Sequence, residues 1–198
     1  VYTTSSKIHV LYITNNKTQW KTQMINITFP DNTIKGFENI PTGMDVAKGI
    51  SDGFARNCVA MKINEQLLDL NQTIKKDTAI SFITANDDEG LDILRHSSAH
   101  VMAEAVLNIY TDAKLTIGPV VEDGFYYDID MDPVSKDDLG AIEAEMKKII
   151  KAKNTFERKV VSKKQALAIF KDNPFKLELI NELDETQEIS LYQNGKFI

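Results

Sequence analysis

Met24-Ile25-Asn26-Ile27-Thr28-Phe29-Pro30-Asp31-Asn32-Thr33-Ile34-Lys35-Gly36-Phe37 decides how the first half of the chain is read. Ile25, Ile27 and Phe29 alternate with polar residues, the period of a strand with one buried face. Pro30-Asp31-Asn32 supplies a turn, and Ile34 and Phe37 continue into a second short strand. Pro41-Thr42-Gly43 then opens a helix expected from Met44 to Arg56, with Val46, Ala47, Ile50 and Phe54 on one side. Val59, Met61 and Ile63 alternate again, Leu67-Leu68 follows a turn, and a last strand is expected from Ala79 to Thr84. Hairpin, helix, then further strands is the order of a β-grasp fold.

Outward from this unit the chain changes character twice. Residues 1–23 contain no acid, are rich in Thr, Asn and Lys, and precede the first methionine; they read as an extension outside the core fold, either an added remnant, a misplaced start or a lineage-specific arm. Asn86-Asp87-Asp88-Glu89-Gly90 is a polar boundary with Asp88 as the expected N-cap. Beyond it, helices are expected at 89–110, 136–153, 163–171 and 176–183. Strands are expected at 125–130, 156–161 and 189–193, with Asn194-Gly195 as a hairpin turn. The fold class is α+β, divided into residues 1–23, 24–85 and 86–198.

The chain has 198 residues, a formal net charge of −6, three histidines and a single cysteine. One cysteine excludes an internal disulfide and fits a reducing compartment, so the expected location is the cytoplasm. No apolar run reaches membrane-spanning length, and no secretory signal of the usual kind is present. Cys58 lies in an alternating strand and reads as a buried small residue. Residues 147–164 are strongly basic, which serves either a solvated face or contact with phosphate.

Chemistry concentrates in Arg95-His96-Ser97-Ser98-Ala99-His100. Histidines four apart share one helix face, and the stripe continues to Glu104. Such a pair serves proton transfer near neutral pH, a metal, or an ordinary solvated face. His96, His100 and Glu104 supply the donor types of a metal site. However, they extend over about 12 Å of one helix axis, too far to wrap one ion. His9 and Cys58 have no partner spacing, so no metal site is assigned.

Three stretches in order carry a family resemblance: Asp88-Glu89-Gly90 with His96-Ser97-Ser98-Ala99-His100, Ile117-Gly118-Pro119 with Gly124-Phe125-Tyr126-Tyr127-Asp128, and Leu191-Tyr192-Gln193-Asn194-Gly195. With them, residues 24–198 resemble the N-terminal region of bacterial threonyl-tRNA synthetases. Residues 24–85 resemble the TGS domain, a β-grasp module also found in some GTPases and stringent-response enzymes. Residues 86–198 resemble the editing domain, which hydrolyses seryl-tRNA(Thr). The resemblance implies His96, His100 and Lys176 as catalytic residues. It implies Tyr127, Gly118, Pro119 and Arg95 as substrate-pocket residues, although Arg95 suits a surface ion pair equally. It implies tRNA(Thr) as partner and, for the full-length protein, a homodimer. The family's Cys-x-x-x-His motif, its aminoacylation core (with ATP, magnesium and zinc) and its anticodon-binding domain would follow Ile198. The chain is therefore read as a fragment with an incomplete editing domain and no cofactor of its own. A non-catalytic tRNA-binding fragment is the alternative. A third reading, a regulatory β-grasp protein, lacks any GxxxxGK[ST] phosphate loop.

Overall fold

The computed structural model describes the backbone of residues 9–14 and 17–22 and all of residues 24–198. The remaining residues of 1–23, and the side chains of Tyr12 and Trp20, lie outside the described residues. The chain forms two compact units, residues 1–94 and 95–198.

In the first unit, β1 (His9–Thr14) and β2 (Lys17–Thr22) pair antiparallel. Then β3 (Ile25–Thr28) and β4 (Ile34–Phe37) form the hairpin expected from the alternation, with Asn32 in the turn at φ 65°. The expected single helix is two, α1 (Gly43–Ile50) and α2 (Asp52–Asn57). Ser51 is the reason for the break. Its backbone is extended (φ −167°, ψ 154°) and its hydroxyl accepts from the Phe54 N–H, so it ends one helix and caps the next. Thr42 and Asp45 form a reciprocal capping box at the start of α1.

β5 (Cys58–Ile63) lies between β6 (Gln66–Leu68) and β8 (Ser81–Thr84), antiparallel to both. The expected last strand is split. β7 (Thr78–Ala79) runs parallel to β3, whereas β8 joins the other sheet, so Ile80 marks the crossing from one sheet to the other. Ile27, Val46 and Met61 are fully buried at the centre of the core. Cys58 is buried there too, and burial pushes its thiol up.

α3 (Asp88–Ile109) begins in the first unit and continues into the second. Asp88, expected as N-cap, lies inside the first turn. Asp87 instead accepts from the Thr84 backbone N–H at 2.6 Å and the Thr84 hydroxyl at 2.9 Å, tying the helix entry to β8. Gly90 is buried against the same residue: a Cβ there would sit 1.8 Å from the Thr84 carbonyl oxygen.

In the second unit, β9 (Lys114–Leu115) pairs with β12 (Ile129–Asp130), and β10 (Val120–Val121) with β11 (Gly124–Phe125). The strand expected at 125–130 is thus two short pieces. α4 (Lys136–Ala152) starts at a Ser135/Asp138 capping box and ends at Lys153 in the left-handed conformation. Ile142 and Ile149 of α4 pack with Val101, Ala105 and Val106 of α3, while Leu139 and Ile150 are exposed. β13 (Phe156–Val161) pairs antiparallel with β14 (Ile189–Asn194). Between them lie α5 (Lys163–Ile169), capped by Ser162, and α6 (Pro174–Glu182). Pro174 is the first residue of α6, where its missing N–H costs nothing. Among the described residues no helix is long and apolar enough to cross a membrane.

The contact at Gly90 reverses an ordinary rule. Glycine to alanine in a helix normally stabilises by about 1 kcal/mol. Here Gly90→Ala drives a methyl into backbone. It is expected to lower stability by about 1–3 kcal/mol, read as a lower denaturation midpoint in urea followed by circular dichroism.

Candidate functional site

α3 presents His96 and His100 on one face because they are one turn apart. Their Nε2 atoms approach to 3.1 Å, with the rings edge to face. At that distance one Nε2 donates and the other accepts. His100 Nδ1 is buried with no hydrogen-bond partner. An orphaned buried N–H is costlier than a bare lone pair. The arrangement therefore favours His100 as the donor, with its proton on Nε2, and His96 with its proton on Nδ1. Burial, reinforced by the charges of His96 and Lys176, lowers His100 to about 4. His100 is thus neutral near pH 7.

Lys176 faces the same space from α6. Asn173 sets its position: the Asn173 side-chain oxygen accepts from the Lys176 backbone N–H at 3.1 Å. The Asn173 amide nitrogen donates to the Leu115 carbonyl at 2.8 Å. One side chain therefore caps α6 and fastens it to β9. Burial pushes the Lys176 ammonium below its ordinary range.

His96, His100, Tyr127 and Lys176 line one pocket of about 700 Å³ within the second unit. Burial pushes the Tyr127 phenol up. The other expected pocket residues stand differently. Gly118 is not in the lining but supports it, since a Cβ there would lie 2.3 Å from the Tyr127 ring. Pro119 is also outside the lining; its carbonyl accepts from the Tyr126 N–H at 3.4 Å. Arg95 is half-buried and not in the lining. Glu104 leaves the cluster to accept from Asn194 Nδ2 at 2.8 Å. Among the described residues no group of three or more His, Cys, Asp or Glu side chains is placed to hold a metal.

Sequence reasoning missed Asn173 and the two rings beside His100. Phe156 and Phe197 each stand edge to face against it at 6.2 Å between centroids. The basic run at 147–164 meets several acids. Lys147 pairs with Glu143, Lys148 with Glu145, Arg158 with Glu188 and Lys163 with Glu185. Lys159 bonds Gln193. Much of that charge is thus answered locally, leaving less of it for phosphate.

Residues 25–84 match the TGS domain family. The chain is 64% identical over 175 residues to a threonine–tRNA ligase of Desulforapulum autotrophicum, covering 88% of this chain and 27% of that protein. It is 60% identical to the threonine–tRNA ligase of Desulfatibacillum aliphaticivorans and 47% identical to that of Anoxybacillus flavithermus, with 88% of this chain covered in each. The chain belongs with the N-terminal regions of bacterial threonine–tRNA ligases. It spans 27% of the length of the first two relatives and 28% of the third. Within this threonine–tRNA ligase region, the TGS match falls on the α+β unit with the β-grasp order of elements.

The depressed His100 makes a directional prediction. Its folded value, about 4, is below the ordinary 6.5, so the unfolded chain binds the proton more readily. Its contribution to stability is present above about pH 6.5. It is lost as pH falls through that range to about 4. Histidine ring NMR should show the His100 resonances still those of a neutral imidazole at pH 5.5, a point on the order of one unit below the ordinary midpoint.

Proposed function

We propose that the second unit carries groups of a hydrolytic site that removes serine wrongly esterified to tRNA(Thr), inside a threonine–tRNA ligase with tRNA(Thr) as its partner. The observation that carries this is the convergence of His96, His100, Lys176 and Tyr127 on one pocket. Serine lacks one methyl of threonine, and such a difference is worth only about 1–3 kcal/mol in binding. A second site that admits serine and not threonine supplies the remaining discrimination.

The reaction is ester hydrolysis. A water oxygen attacks the aminoacyl carbonyl carbon, the carbonyl oxygen becomes an oxyanion, and the bond to the ribose oxygen breaks. The water's proton ends on that ribose oxygen, and free serine leaves. The ester is already activated and water is the nucleophile, so no cofactor is required. In this reading the His96–His100 pair holds and orients the water and relays its proton. Lys176, half-desolvated, stabilises the oxyanion or the terminal ribose more strongly than it would in water. Tyr127, buttressed by Gly118, forms a wall against the amino-acid side chain.

The test is release of serine from seryl-tRNA(Thr), with threonyl-tRNA(Thr) as control. Serine alone should be released, and His96→Ala with His100→Ala should lower the rate by about 10²–10⁴-fold. No release by a folded chain would reduce it to a tRNA-binding module.

A further inference from the structure

His100 is oriented without help from its own Nδ1, which is buried and unpartnered. Beyond the His96 contact, its ring is set by the Phe156 and Phe197 rings. Phe156 belongs to β13 and is fixed by register, pairing with Asn194 of β14. Phe197 lies just past β14, and its backbone exchanges both hydrogen bonds with Asn194, at 2.8 and 3.0 Å. These close a tight turn through Gly195, at φ 60°, and Lys196. Asn194 is therefore the residue on which both aromatic neighbours of His100 depend.

Asn194 is only 3% exposed, and its Oδ1 has no partner. Among the described residues its side-chain hydrogen bond runs from Nδ2 to Glu104 Oε2, at 2.8 Å. Glu104 stands on α3 one turn beyond His100. The bond thus ties the turn to the helix that carries the histidine. Asn108 and Lys148, by contrast, bond the neighbouring Glu145 and leave Glu104 to Asn194.

We propose that Glu104 is a positioning residue: through Asn194 it sets the turn that places the Phe197 ring against His100. This deepens the reading of His100 as a hydrolytic group and rests on it. The measurement below reads His100 directly, whether or not any ester is cleaved. The groups that face His100 and bear on its titration are His96 on α3, Lys176 on α6, and the apolar Phe156 and Phe197. Lys196 lines the same pocket from the turn.

The experiment is an NMR titration of the His100 ring in the whole chain. Glu104→Leu keeps volume and helix propensity but removes the acceptor, and Glu104→Gln keeps an acceptor without charge. Phe197→Leu removes the ring and leaves the Glu104–Asn194 bond intact. Glu104→Leu and Phe197→Leu are each expected to raise the His100 midpoint by about one pH unit or more toward its ordinary value. Glu104→Gln should restore the wild-type midpoint. A folded Glu104→Leu protein with an unmoved midpoint overturns the proposal. So does Glu104→Gln displaced as far as Glu104→Leu. Phe197→Leu with no shift overturns it even if Glu104→Leu does not fold.

Discussion

The second unit depends on the packing of α3 against α4. Val101, Ala105 and Val106 meet Ile142 and Ile149 in one buried apolar cluster. Ala103 and Ala105 are fully buried. This fixes the rotation of α3 about its own axis. With that rotation fixed, the His96 and His100 face has only one direction left to point. The two tails of the unit are then built up to meet it: α6 brings Lys176, and β14 with its turn brings Phe197.

Two kinds of interaction do this assembly. Local ones start the helices: the capping boxes at Thr42, Ser135 and Ser162 each satisfy backbone donors with a residue three positions away. Long-range polar ones complement the apolar packing. Asn173 reaches Leu115, and Asn194 reaches Glu104, 90 residues away. Lys163 donates to the Asn181 and Leu183 carbonyls, placing a cation at the C-terminal end of α6. These bonds are the ones that set where pocket groups stand.

The division between local and long-range accounts for what the sequence revealed. The β3–β4 hairpin, β5, α4 and β13 were legible because periodicity and turn residues specify them locally. The single helix expected over 44–56 failed at Ser51, whose side chain offers the backbone a cap in place of another helical turn. The strand expected over 79–84 failed at Ile80, because alternation cannot say which of two sheets a residue joins. His96 and His100 were legible from spacing, and Lys176 and Tyr127 only from family resemblance. Glu104 was read with the histidines because it shares their stripe; the structure turns it to Asn194, a partner that no local pattern could show. Phe156 and Phe197 were invisible for the same reason.

The half-burial of Lys176 also separates two kinds of charge in this chain. Exposed ammonium groups such as Lys151 and Lys164 act through solvent, where mobile ions damp attraction over a Debye length of about 8 Å at physiological ionic strength. Lys176 is partly withdrawn from solvent inside the pocket and acts at close range, where screening by mobile ions is weaker. Added salt should therefore weaken any long-range attraction of a polyanion to the surface well before it alters how the pocket treats a negative charge already inside it.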